Sequence, residues 1–291
     1  MREPAPVLRI DLFTDPACPF AFSHEPVRWR LRWLYGDALD WRPRMIGLAD
    51  SVAEMVARGL TPTLLARTRA TLAARHGMPI RSDAPDRLYA TRLAALAVVG
   101  TRRAVPDRVE RLLRALRVLA MAGRPLDEPR TVAAAARDAG LRPGDVLGWA
   151  RARRTADALA HDMADARDPA PAARALPEGL FSSGDVVRYT APSYVIHGPG
   201  RSVFAIPGFR PAETYTTAFA NLLPAVTRRP PPESAATVLD WAGQPLAMME
   251  VAAVLGVNAD EARERLLASA AIHVAGYWAM HPRAPGDTRP A

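Results

Sequence analysis

The chain holds a single cysteine in 291 residues, Cys18, within the stretch TDPACPFAF that runs from Thr14 to Phe22. A deprotonated thiol is a nucleophile toward disulfides and carbon electrophiles. Pro19 follows it, and proline suits the first turn of a helix, where its missing N–H costs nothing. That puts Cys18 on the N-terminal lip of a helix, where free N–H groups and the helix dipole favour negative charge. The local sequence therefore predicts a reactive thiolate with a pKa below the free value of about 8.5. Far downstream, Ala191-Pro192-Ser193 stands just before an apolar run, a position suited to a cis proline that aligns a backbone edge.

The other candidate groups read as structural. Asp15 precedes a proline, so it forms a turn, or else it takes the proton of Cys18. His24 lies six residues after Cys18, about 1.7 helical turns on. It should face away from the thiol in a surface or capping role. The six histidines are scattered without zinc spacing, and no glycine-rich phosphate loop is present, so no metal is expected. His197 and His273 read as local structure. Trp29 and Trp33, at i and i+4, read as core.

Elements must position these residues. Val7 to Phe13 alternates apolar and polar and reads as a strand ending in a turn at Asp15-Pro16. One helix should follow from Pro19, with Val27, Leu31 and Leu34 on one face and Gly36 as its stop. Trp41 to Gly47 is a second strand. From about residue 50 to 166 the texture is Ala, Leu and Arg at helical spacing, as in Val109, Leu112, Leu113, Leu116 and Leu119. Strand signals resume only at Ser193 to Ile196 and Ser202 to Ile206, joined by a hairpin loop from His197 to Arg201. Pro211 to Leu223 reads as a helix. Thr227 to Pro232 is a proline-rich linker. After it, Val238 to Trp241, Met248 to Leu255 and Ala259 to Leu267 read as short helices, and Ile272 to Met280 as a strand, the order of a winged helix-turn-helix.

The expected fold is therefore α/β: one discontinuous α/β domain (1–49 and 167–226), an inserted helical domain (50–166), a linker (227–235) and a C-terminal winged-helix-like domain (236–291). One cysteine excludes an intramolecular disulfide, and Arg9 and Asp11 interrupt the N-terminal apolar stretch, so the expected setting is cytoplasmic. No run reaches the ~18 apolar residues of a membrane span. The net charge of +8 comes from 38 arginines and no lysine, which reads more as coding bias than as a designed patch. Residues 28 to 174 hold 27 Arg against 16 acids, a balance that suits an anionic small molecule or an acidic partner. Nucleic acid is not expected: the candidate recognition helix carries Asp260, Glu261 and Glu264 against Arg263 and Arg265. Packing or homodimerisation is the default for that unit.

Together these features resemble the DsbA-like branch of the thioredoxin superfamily, a thioredoxin-like fold with an inserted helical domain. LFTDPACPFAFSHEP followed by YGDALDWRPRMIGLA is similar to its cytoplasmic members, which include dithiol isomerase-like proteins. The resemblance spans about residues 7 to 224. It makes Cys18 the nucleophile and Pro192 the cis-proline, with Pro19, Phe20, Ala191, Pro192 and Ser193 binding substrate and Asp15 and Ala21 in support. Ala21 stands where the family carries its resolving cysteine. A dithiol enzyme needs that second sulfur to release its mixed disulfide, so the expectation is a monothiol enzyme of redox, isomerase or transferase type, working with glutathione or mycothiol. The same motif also resembles a protease adaptor of this fold, which makes a non-enzymatic interaction protein the alternative.

Overall fold

The computed structural model describes residues 7–183, 185–198 and 202–280. Strand β1 (Leu8–Thr14) leads into helices α1 (Pro19–Ser23) and α2 (Glu25–Tyr35), then strand β2 (Leu39–Met45). The single helix expected here is two, hinged at His24, which caps both. The cause is Pro26: it lacks an N–H and its ring clashes with the carbonyl of Phe22, four residues back, so the chain restarts with Pro26 in the first turn of α2.

The insert follows as α3 (Val52–Ala57), α4 (Pro62–His76), α5 (Arg92–Ala104), α6 (Val109–Met121), α7 (Pro129–Asp138), α8 (Pro143–Arg151), α9 (Arg153–Arg167) and α10 (Pro171–Arg174). The apolar spacing of α6 buries Leu112, Leu113 and Leu116 completely against Val98 of α5 and Val132 of α7. Leu119, expected on that face, is only partly buried. Gly100 lets α5 and α8 meet closely, since a Cβ there would stand 2.9 Å from that of Trp149.

The chain returns through β3 (Leu180–Ser183), β4 (Val186–Tyr189), β5 (Ser193–His197), β6 (Val203–Ile206) and α11 (Ala212–Leu222). The β3–β4 hairpin was not expected. Its strands are four residues long, β3 largely exposed and β4 buried at its last two residues, so neither carries a buried-face alternation to read. The expected loop after His197 lies partly outside the described residues. The main sheet has the order β2-β1-β5-β6, with β1 parallel to β2 and antiparallel to β5. Because side chains alternate across a strand, Leu8, Ile10 and Leu12 face Leu31, Tyr215 and Phe219 under α2 and α11. Phe13 and Val195 face the opposite side, where Cys18 packs.

A C-terminal unit completes the fold: α12 (Ala235–Ala242), β7 (Leu246–Ala247), α13 (Met248–Leu255), α14 (Ala259–Leu267), β8 (Ile272–Val274) and β9 (Tyr277–Ala279). Its small sheet runs β7-β9-β8. The single strand expected from Ile272 to Met280 is a hairpin, turned by Ala275 and Gly276, both at positive φ, as a tight two-residue turn requires. Trp29 and Trp33 of α2 enter the core of this unit. Arg30 donates to the last carbonyls of α13, including Val254 O at 2.9 Å.

Candidate functional site

Cys18 caps the N-terminus of α1, and its Sγ donates to the carbonyl of Ala191 at 3.4 Å. The Ala191–Pro192 peptide is cis. The thiol is 4% exposed, packed among Phe13, Ala21, Ile46, Tyr189 and Ala191. Asp15 builds the turn before it. Its Oδ1 accepts from Ala17 N at 2.9 Å, and its Oδ2 from Leu48 N and Thr91 Oγ1, each at 3.0 Å. One carboxylate thus joins β1, the segment after β2 and the start of α5. It positions the loop, and burial holds its carboxyl above the usual range, against those hydrogen bonds and the charge of Arg117.

The expectation of a low thiol pKa is corrected by this setting. Burial pushes Cys18 up to about 11; the N–H groups of Ala21 and Phe20 and the charge of Arg117 pull down, while Asp15 pushes up. The helix end that should have stabilised the thiolate is only five residues long. It cannot offset the desolvation of a sulfur enclosed by apolar side chains.

The remaining predicted residues divide. Phe20 is 41% exposed and, with Ala191, whose carbonyl accepts from the thiol, lines a cavity of about 250 Å³ in which Cys18 itself is not a wall. Its other walls are Glu178, Gly179, Thr190, Gly208, Phe209 and Arg210. Gly179 and Gly208 let two of its wall segments approach closely, because a Cβ on Gly179 would stand 2.3 Å from Pro207 O. Pro19 is half-buried and Pro192 buried. Ser193 was expected to bind substrate. Instead it is fully buried, donating to Thr190 O at 2.7 Å and accepting from Gly208 N at 2.9 Å, so it pins the two loops that shape the cavity. Ala21 packs in the same cluster as the thiol.

His24 does occupy the cap position expected of it, between α1 and α2, but it lies in the core and not on the surface. It is fully buried, shares a 3.1 Å hydrogen bond between Nδ1 and the Tyr194 hydroxyl, and packs on Phe209 and Tyr215. Burial lowers its pKa to about 3.

Sequence reasoning missed Thr91 and Arg117. Arg117 is buried and donates to Glu25 and to Thr14 Oγ1, at the end of β1. Glu25 also pairs with Arg28 at 2.9 Å, and Arg28 with Glu110 at 2.5 Å. One helical turn from Arg117, Arg114 grips Glu250 of the C-terminal unit through both carboxylate oxygens. An arginine inside an apolar helical pattern, as at positions 114 and 117, was the available signal. A larger groove of about 1160 Å³ lies along Trp33, Arg229 and Trp241. No predicted site residue lines it. Among the described residues, no three His, Cys, Asp or Glu side chains gather as metal ligands, and no helix is long and apolar enough to cross a membrane.

No family model and no curated protein matches the sequence. Solved structures do match the fold. A Nitrosomonas europaea protein assigned as a disulfide isomerase superposes with a TM-score of 0.57 at 17% identity, over 75% of this chain and 98% of its own. One assigned as a DsbA oxidoreductase from Streptomyces coelicolor gives 0.53 at 19%, over 78% and 93%. The cytosolic disulfide reductase DsbM of Pseudomonas aeruginosa, in its structure with glutathione, gives 0.51 at 14%, over 74% and 98%. The chain shares the fold of these DsbA-like proteins.

Proposed function

We propose that this chain is a monothiol member of the DsbA-like group that captures a small thiol compound at Cys18. The observation that carries the reading is the thiol, 3.4 Å from the carbonyl of Ala191, which precedes a cis proline and lines a 250 Å³ cavity, with no second cysteine in the chain. The Cys18 thiolate attacks one sulfur of a small disulfide. A new S–S bond forms, the old one breaks, and the displaced thiolate leaves to take a proton from water, with no net oxidation. Ala21 supplies no second sulfur to attack Cys18 and displace the captured thiol, so release waits for an external thiol. Glutathione, held by the DsbM structure of this fold, or mycothiol is the cofactor of this reading. Phe20, Ala191, Pro192 and the neighbouring Pro19 form the binding edge, in a cytosolic setting. The domain division is a thioredoxin-like body with a helical insert, then a linker and a winged-helix-like unit that packs rather than binds nucleic acid.

Attack requires the thiolate, which at pH 7 is on the order of 10⁻⁴ of a thiol whose pKa is about 11. Capture is therefore slow at neutral pH and quickens as pH rises. Intact-mass measurement after exposure to oxidised glutathione or oxidised mycothiol tests the proposal: one stable adduct on Cys18, removed by dithiothreitol, is expected. Absence of any adduct up to pH 9.5 refutes it. The burial and raised pKa of Cys18 favour a second reading in that event, a non-enzymatic interaction protein using the same fold.

A further inference from the structure

Three guanidinium groups surround the cluster that encloses Cys18 without a matching set of carboxylates. Arg188, on β4, is 9% exposed. Its side chain lies 4.5 Å over the ring of Phe181 and donates to Tyr189 O at 2.9 Å. Tyr189 itself packs in the Cys18 cluster, stacked on Phe13. Among the described residues no carboxylate pairs with Arg188. Arg58, at the end of α3, donates to Leu48 O, and Leu48 N in turn donates to Asp15. Among the described residues its one ion-pair partner is Glu54, at 3.7 Å. Arg167 ends α9 next to Ala166 of the same cluster, and among the described residues donates only to Met163 O. The nearby acids are engaged elsewhere: Asp165 with Arg44, Asp168 with Arg174, and Asp15 with its three donors.

Such an arrangement is costly as it stands. A buried cation is ordinarily paired, and here the like charges of Arg58 and Arg167 join burial in lowering the pKa of Arg188. The seam between α6 and the C-terminal unit shows how this chain treats an arginine with a structural role: Arg114 is equally buried and has a bidentate carboxylate. An anion arriving at Arg188 would supply what the chain itself does not.

We propose that Arg188, with Arg58 and Arg167 beside it, forms a site next to Cys18 for a carboxylate or phosphate group, so that the compound captured at the thiol is an anion. The identity of the capture step rests on the thiol reading above, whereas the anion site rests on the arginines alone, and the experiment separates them.

In the first arm, thermal shifts of the Cys18→Ser protein are recorded with inorganic phosphate and with citrate against chloride at equal ionic strength. Stabilisation by either oxyanion, lost in Arg188→Met and in Arg167→Gln, is expected. Phosphate acting without citrate marks a phosphate site, and citrate without phosphate a carboxylate site. No stabilisation by either overturns the proposal. In the second arm, adduct rates on Cys18 are compared for oxidised glutathione, an anion, and hydroxyethyl disulfide, which is neutral. Loss of one charge-assisted contact should lower the ratio of the two rates by about tenfold in Arg188→Met. Arg174→Gln, which removes an exposed arginine already paired with Asp168, should leave the ratio as it is. An unchanged ratio in both Arg188→Met and Arg167→Gln overturns the link to Cys18. Arg167 is exposed, so its variant keeps the test decisive if Arg188→Met fails to fold. If neither disulfide adds to Cys18 in any protein, the thiol reading falls and the first arm alone decides the anion site.

Discussion

Two buried polar centres lie on either side of α1, and burial acts on them to opposite ends. At the seam with the C-terminal unit, Glu25 meets Arg28 and Arg117, and Arg114 meets Glu250. Burial alone would push the Glu25 carboxyl up, yet its arginines bring it to about 2. At the thiol end, burial prevails: the Cys18 thiol rises to about 11, Asp15 is held above its usual range, and Arg188 is disfavoured as a cation. Desolvation is common to both; at the seam it is overcome at Glu25, which meets two arginines, but not at Glu250, which meets one and stays above its usual range. The paired groups of the seam join α2, α6 and the C-terminal unit, whereas Arg188 at the thiol end is where the proposed anion would bind.

The largest effect is expected where the partnered centre is broken on one side. Arg114→Ala leaves Glu250 buried beside Ala247 N alone, which should cost about 3–5 kcal/mol in chemical denaturation. Replacing both Arg114 and Glu250 by methionine should recover most of that loss, because no uncompensated charge remains. If the double variant is as unstable as the single, the pair is not the unit the comparison takes it to be.

The thiol end is tested by pH. Cys18 has its folded pKa above the unfolded value, so the folded state holds the proton more tightly. Its contribution is fully present below pH 9 and is lost as pH climbs through about 11. The wild-type protein should therefore lose roughly 2–3 kcal/mol more than Cys18→Ala between those pH values. Iodoacetamide labelling of Cys18 should accelerate about tenfold per pH unit from 7 to 10 without a plateau. A plateau near pH 8 would restore the helix-end thiolate. Glu25 has the opposite sign: its stabilisation is present above pH 4.5 and is lost as pH falls toward 2.

Asp15 sharpens the comparison further, being buried at the thiol end yet supplied with three donors. In Asp15→Asn the amide must turn an N–H toward at least one donor, which should cost about 1–3 kcal/mol. Cys18 should also become more exposed to labelling, since the turn that seats it loosens. An Asn variant as stable as wild type would mean the carboxyl is already protonated.

Legibility in the sequence followed the same division. Period-two alternation in β1 and the apolar spacing of α6 announced the elements, since burial of one face leaves a repeating trace. The thiol and Pro192 were legible by residue type and position. What was not legible depends on distant contacts. The pKa of Cys18 is set by the side chains that enclose it, Phe13, Tyr189 and Ala191 among them, which lie as far as 173 residues away. The hinge at His24 was present in the sequence as Pro26, and the helical period of Val27, Leu31 and Leu34 masked it. That the Ser193 hydroxyl is taken up by Thr190 and Gly208 was likewise set by contacts the local sequence does not display.

His24 stands between the two centres and gives the smallest test. It is buried like both, carries no charge, and shares one hydrogen bond with Tyr194. Its folded pKa lies below the unfolded value, so its contribution is present above pH 6.5 and is lost as pH falls toward 3. Tyr194→Phe removes the hydroxyl while keeping the ring against Tyr215 and Trp41. The loss at pH 7 should be about 1 kcal/mol, the net worth of one neutral hydrogen bond plus part of the cost of a bare imidazole nitrogen. Such a cost is far below that of Arg114→Ala, because a neutral ring can lose its partner without leaving a charge in the core. If Tyr194→Phe instead costs as much as the broken ion pair, His24 is charged in the folded protein and belongs with the partnered centre.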